Sequence, residues 1–180
     1  VKKIEKDGKT IILRSNKEMS EADVAKMVIA DSVFSMDGDI IDLPKVVELC
    51  KKYNAWLMID EAHSVGVLGK RGTGIEEHFG MGDVIDIKMG TLSKTLASCG
   101  GYIAGSKELV EILKFTAPGF VYSVGLPPPM TAAALAALTV LESEPQRVQR
   151  MRMNGALFMR EARAAGLDTG NSIGLGILPI

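Results

Sequence analysis

Lys94 stands in the stretch Gly90-Thr91-Leu92-Ser93-Lys94-Thr95-Leu96-Ala97-Ser98-Cys99-Gly100-Gly101, among small and hydroxylated residues and between two apolar runs. A lysine that forms a Schiff base needs such a setting. Its amine must be reachable, unprotonated and close to anchored phosphate oxygens. Thr91 can offer its hydroxyl to one of those oxygens, while Gly100 and Gly101 permit close backbone approach. Read alone, the same lysine also suits a solvated side chain in a Ser/Gly-rich loop. A second stretch, Trp56-Leu57-Met58-Ile59-Asp60-Glu61-Ala62-His63, is an apolar run that ends abruptly in two acids and a histidine. It reads as a buried parallel strand whose C-terminal end opens on a crevice, where open α/β sheets bind their ligands. Asp60 can pair there with a protonated ring nitrogen, and His63 can lie against the same ring. An acid capping the following turn, with a satisfied histidine beside it, is the alternative.

The elements that must position these residues alternate between strand and helix. Residues 1–6 and 9–14 read as a hairpin about Asp7-Gly8, and Ser20-Glu21-Ala22-Asp23 as the cap of a short helix running through Met27. A buried strand over 28–34 leads to a turn over 35–39, with Ser35 at the strand end as a candidate ligand contact. Residues 43–53 form an amphipathic helix with Val46, Val47, Leu49 and Cys50 on its apolar side and Pro44 in its first turn. The strand over 55–60 then completes a right-handed crossover. Residues 64–74, punctuated by glycines, form a lid or a surface loop, and a short helix over 75–79 carries His78 as a surface or packing residue. Strand 84–89 leads into the lysine stretch and 102–105 leads out of it. Ser106 caps a helix over 107–114, and 120–123 is extended ahead of Pro127-Pro128-Pro129. A buried, alanine-rich helix over 128–141 follows, and then a long helix over 145–165. Its arginines (Arg147, Arg150, Arg152, Arg160, Arg163) are spread over a solvated face. The last residues, 172–180, stop in the middle of a strand.

Composition narrows the function classes. The chain of 180 residues is long enough for one domain with a real core. Its 21 Lys+Arg balance 22 Asp+Glu, so no nucleic acid or other polyanion is implied as a partner. Two cysteines, Cys50 and Cys99, give no disulfide framework, and with only two histidines no metal-ligand spacing occurs. The apolar 47% is dispersed, with no transmembrane run and no signal peptide, so a cytoplasmic protein is expected.

Asp60-Glu61-Ala62-His63, followed by Gly90-Thr91-Leu92-Ser93-Lys94 and preceded by Val33-Phe34-Ser35-Met36-Asp37-Gly38-Asp39, resembles the α-oxoamine synthases, a family of pyridoxal-phosphate enzymes. The resemblance runs from about Val28 to the C-terminus and does not include residues 1–27. It implies an α/β fold, the large domain of a fold-type-I pyridoxal-phosphate transferase, with a mostly parallel sheet and flanking helices. Residues 28–166 would be part of that cofactor-binding domain, 1–27 an atypical N-terminal hairpin and helix, and 167–180 the start of a small domain. Family members are considerably longer, so the chain reads as an incomplete copy that is inactive alone. The resemblance implies Lys94 as the Schiff-base residue and proton carrier, Asp60 on the ring nitrogen, and His63 on the ring or substrate. Ser35 would lie close by, Thr91 would bind the phosphate, and Ser123 would reach the partner subunit's phosphate in a homodimer with shared active sites. The implied reaction condenses a small amino acid with an acyl thioester such as an acyl-CoA, with loss of carbon dioxide, to an α-aminoketone. An aminotransferase or another fold-type-I pyridoxal-phosphate enzyme is the alternative. A non-catalytic partner subunit is another, against which the presence of Lys94 argues.

Overall fold

The structure, a computed structural model, describes residues 2–6, 9–13 and 25–180. Strands β1 (Lys2–Lys6) and β2 (Lys9–Leu13) pair antiparallel as the sequence predicts, and the Asp7-Gly8 turn lies outside the described residues. The main sheet has the order β3 (Lys26–Asp31), β4 (Ala55–Asp60), β5 (Ile87–Thr91), β6 (Gly101–Gly105). The first three run parallel and β6 returns antiparallel to β5. The C-terminal ends of three strands therefore share one edge, and the connection from β5 to β6 rises over that edge.

Helix α1 (Leu43–Tyr53) covers one face, and its limits follow from local chemistry. The Asp42 carboxylate accepts from the Lys45 amide at 3.2 Å, Pro44 occupies the first turn, and Asn54 closes the last in a left-handed conformation. Leu43, Val47 and Cys50 meet Leu57 and Ile59 of β4, together with Val33, Leu68, Ile85 and Ile75 of the short helix α2 (Ile75–Phe79). Leu49, expected on the apolar side, is exposed. Strand β4 is buried on this face only, and Trp56 on the other face is 48% exposed.

Several boundaries differ from the sequence expectations, each for a physical reason. Lys26 and Met27 belong to β3 and not to a helix, because they pair with Ala55 and Trp56 in the parallel ladder. That strand ends at Asp31, since the Ser32 amide and hydroxyl both turn onto the Asp60 carbonyl, at 2.9 and 2.7 Å. Strand β5 begins only at Ile87. The Val84 and Ile85 amides donate to the Glu76 carboxylate, while Asp86 exchanges hydrogen bonds with Leu57. Residues 120–123 are not extended. Pro118 starts a helical turn, α4 (Pro118–Val121), and the Ser123 hydroxyl donates back to the Phe120 carbonyl at 3.1 Å.

Helices α3 (Lys107–Thr116), capped by the Ser106 hydroxyl on the Leu109 amide, and α5 (Pro128–Ser143) bury no residue. The expectation of a buried α5 is thus wrong for this chain, in which even Ala133, Ala134, Ala137 and Leu141 are only partly covered. Helix α6 (Gln146–Ala164) buries Val148, Gly155, Met159 and Ala162. Two of its arginines are not simply solvated. Arg152 donates to the Val67 and Gly69 carbonyls at 2.9 and 2.6 Å, and Arg163 to the Thr169 hydroxyl at 3.1 Å. Residues 172–180 form no strand. Ser172 donates to the Ile177 carbonyl at 2.8 Å and accepts from the Gly174 amide, folding the segment into a compact turn. Among the described residues no helix is long and apolar enough to cross a membrane.

Candidate functional site

Parallel register sets Asp31 beside Asp60, and Asp60 beside Met89, at the C-terminal edge of the sheet. Asp60 is held at both ends of its residue. Its carbonyl accepts from Ser32, and its Oδ1 accepts from the Ala62 amide at 2.7 Å. The chain then turns, leaving His63 half-buried just beyond the strand. Burial lowers the His63 pKa, and the nearby Lys94 charge lowers it further, while Asp31 and Asp60 pull it up. The histidine thus feels the lysine and both acids through space. The structure gathers three predicted residues, Lys94, His63 and Asp60, at one place.

Lys94 lies at the top of the β5–β6 connection. The Leu92 amide donates to the Gly100 carbonyl at 3.0 Å, and the Ala97 amide to the Lys94 carbonyl at 3.0 Å. Ala97 takes a positive φ of 50° to close this turn. On the near side the Thr91 and Ser93 hydroxyls are 2.7 Å apart, and Thr91 also reaches the Gly100 carbonyl at 3.2 Å. Gly101 answers the expectation of close approach, since a Cβ there would lie 2.8 Å from the Gly90 carbonyl oxygen. A cleft of about 180 Å³ is lined by Lys94 and Thr95, by Ala62, His63, Val65 and Val67, and by Gly176 and Ile177 of the C-terminal segment. A larger depression of about 390 Å³ beside Glu144, Arg147 and Arg150 contains neither the lysine nor the histidine.

Ser35 and Ser123 are not among the residues that line this cleft. Ser35 is exposed in the turn after Val33, and Ser123 is exposed beyond α4. Residues 64–74 form a loop that is packed at its base and exposed at Lys70, Arg71 and Thr73. Ser64 and Leu68 are fully buried, and Glu61 accepts from the Ser64 hydroxyl and from the Ile75 amide. Burial raises the Glu61 pKa to about 7, against the opposing Ile75 hydrogen bond and Lys88 charge. Glu77 gathers the Arg71 and Thr73 amides of the same loop. Sequence reasoning missed Ser32, Asp31, Thr95 and Tyr102. Tyr102 lies against Gly90, and burial with the Glu61 and Asp60 charges raises its pKa. His78, edge-on to Phe79 at 4.9 Å, is an exposed surface histidine. Among the described residues, no group of three or more His, Cys, Asp or Glu could hold a metal ion.

Helices on a mostly parallel sheet, with a lysine loop over its C-terminal edge, make up the fold of the fold-type-I pyridoxal-phosphate transferases over the stretch covered here. The chain belongs to the aminotransferase class I and II family, whose family model matches residues 11–175. It is 50% identical over 147 residues to the 8-amino-7-oxononanoate synthase of Thermosipho melanesiensis, covering 82% of this chain and 38% of that protein. It is 43% identical over 148 residues to the serine palmitoyltransferase of Bacteroides thetaiotaomicron, with the same 82% and 38% coverage. A solved serine palmitoyltransferase from S. paucimobilis, with a bound PLP–myriocin aldimine, aligns with a TM-score of 0.77 at 29% identity, covering 83% of this chain and 38% of that one. The chain therefore spans about 38% of the length of these relatives. Both named enzymes are α-oxoamine synthases, the family that the Asp60 and Lys94 motifs resemble.

Proposed function

We propose that this chain carries the cofactor-holding part of a pyridoxal-phosphate-dependent C-acyltransferase of the α-oxoamine synthase type. The observation that carries this reading is the placement of Lys94 and His63 in the lining of one cleft, with Asp60 at the adjoining strand end. The donor set suits pyridoxal 5'-phosphate. Lys94 would hold its aldehyde, Asp60 its ring nitrogen, and His63 its ring or the substrate. The Thr91 hydroxyl, beside that of Ser93 and the backbone of Gly100, suits a phosphate oxygen. When bound, the cofactor supplies an electron sink for a carbanion at an amino acid's α-carbon. Lys94, released from the cofactor, would carry a proton there, with the His63 imidazole in the same lining. The substrates on this reading are a small amino acid and an acyl thioester such as an acyl-CoA.

Ser35 is assigned to the substrate side, and Ser123 to the partner subunit's phosphate in a homodimer with shared sites. Residues 28–166 belong on this reading to the cofactor-binding domain. Residues 167–180 lead out of it towards a small domain, with Leu175 and Ile177 anchoring the exit to the core. Both cysteines are free thiols, which suits a reducing, cytoplasmic setting. The test adds pyridoxal 5'-phosphate to the full chain, reduces with borohydride and maps the labelled peptide. Label on Lys94, lost in Lys94→Ala together with the visible absorbance, is the expected result. A reducible adduct at another lysine would sink the assignment. Condensation of glycine, alanine or serine with acyl-CoA by the longer protein, against transamination with keto acids, separates the synthase from an aminotransferase.

A further inference from the structure

Two walls of the cleft come from distant parts of the chain, and one side chain ties them together. The Thr95 hydroxyl donates to the Val65 carbonyl at 2.7 Å, across 30 residues of sequence. Thr95 directly follows Lys94, and Val65 lies two residues beyond His63. The contact needs Gly66, which takes a φ of +80° and where a Cβ would fall 2.3 Å from the Thr95 Cγ2 and 2.6 Å from its Oγ1. Any larger residue at 66 would push Thr95 off its acceptor. The other side of Lys94 is tied separately, by Thr91 and Ser93 to each other and to Gly100. The loop is fastened once more by the Ser98 hydroxyl on the Met130 carbonyl at 2.7 Å. Of these three ties, only the one at Thr95 reaches the wall that carries His63. That wall is itself stiffened from behind, because Arg152 holds the Val67 and Gly69 carbonyls.

We propose that Thr95 is a positioning residue whose hydroxyl, bonded to the Val65 carbonyl and seated on Gly66, sets the separation of Lys94 and His63. The proposal rests on the reading of Lys94 as the cofactor-holding lysine for its functional meaning, but not for its geometry. Its test therefore needs no cofactor. The charged groups acting on the His63 imidazole are Lys94, Asp31 and Asp60. If Lys94 is released from this wall, its charge recedes and the His63 pKa must rise.

The experiment titrates both histidines of the full chain by NMR. Wild type is compared with Thr95→Val, Thr95→Ser, Gly66→Ala and Lys94→Met, and His78 serves as an internal reference. Lys94→Met should move the His63 titration to higher pH and so define the effect of losing the charge. Thr95→Val, nearly isosteric but without the donor, should move it in the same direction while His78 stays put. Thr95→Ser, which restores the hydroxyl, should return it to the wild-type position. Gly66→Ala should act like Thr95→Val; if it does not fold, the two threonine variants still decide the matter. A His63 titration that moves in Lys94→Met but not in Thr95→Val overturns the proposal, as does one that moves in neither. Borohydride labelling of the same proteins with added pyridoxal 5'-phosphate tests the underlying function independently. Label away from Lys94 with a responsive His63 would leave Thr95 as the positioning residue and remove the cofactor reading instead.

Discussion

At the residue scale, Asp60 and Glu61 are adjacent carboxylates placed in opposite environments. Asp60 is only half-buried at the strand end, whereas Glu61 points into the protein. Asp60→Asn should leave the cofactor bound but slow solvent deuterium exchange at the amino acid's α-carbon. A loss of two pKa units at the ring nitrogen would correspond to about 2.7 kcal/mol, or about a hundredfold. Unchanged exchange would make Asp60 a turn cap for the Ala62 amide and nothing more. Glu61 has its folded-state pKa raised from 4.5 to about 7. The folded state therefore holds that proton more tightly than the unfolded chain does. The stabilisation is present below pH 4.5 and is lost as pH rises to about 7, amounting to about 3 kcal/mol. Glu61→Gln, which keeps an acceptor for the Ile75 amide, should be more stable than wild type at pH 8 and lose that advantage by pH 4.5. Denaturant melts across this range check it, and a difference independent of pH would refute it. Lys94, Asp60 and His63 were legible as candidates only together, because each stretch alone also suits a solvated lysine or a turn cap and the order and spacing of the two carry the resemblance. Ser32 and Thr95 were not, since each acts on a backbone carbonyl about 30 residues away and no local pattern announces that contact.

At the element scale, legibility followed the caps. Helix α1, helix α2 and strand β4 begin and end where the sequence places them, because Asp42, Gly80 and the polar run after Ile59 are local signals. Strands β3 and β5 were misplaced by two or three residues. Their ends depend on Ser32 and Glu76 capturing backbone groups from outside the strand. The burial of α5 was misjudged because its alanines have no polar face to orient it, so the sequence indicated a helix without indicating what covers it. The worth of a local signal can be measured at α1, the main helical partner of the core. Asp42→Ala removes the acceptor for the Lys45 amide and should cost about 1 kcal/mol, lowering the urea midpoint without changing the slope. Asp42→Ser should recover most of that loss.

At the scale of the whole molecule, the elements after β6 carry much apolar surface. Phe115 is 79% exposed, Tyr122 86% and Leu135 64%, all on helices or turns that follow β6. Ser123 lies among the same elements, where the proposed shared-site dimer would need it. If the proposed shared-site dimer forms in the longer protein, mixing a Lys94→Ala parent with a Ser123→Ala parent should create heterodimers with one doubly altered and one intact site. Random exchange would then restore about a quarter of wild-type activity. If exchange is verified and no activity returns, Ser123 has no part in a neighbouring site. The arrangement of the sheet also bears on the order in which the cleft is assembled. Lys94 lies within a hairpin whose strands meet across a short loop, from Thr91 to Gly101. Asp60 gains its neighbours Asp31 and Met89 only by closing loops roughly three times as long, at a further entropic cost of about 1 kcal/mol each. The lysine wall can form from nearby sequence while the acidic wall waits for parallel crossovers, although Asp60 leaves the ribosome first. The Thr95–Val65 bond is then a late latch between two prefolded pieces, and pulse-labelled amides of β5 and β6 should gain protection before those of β3 and β4.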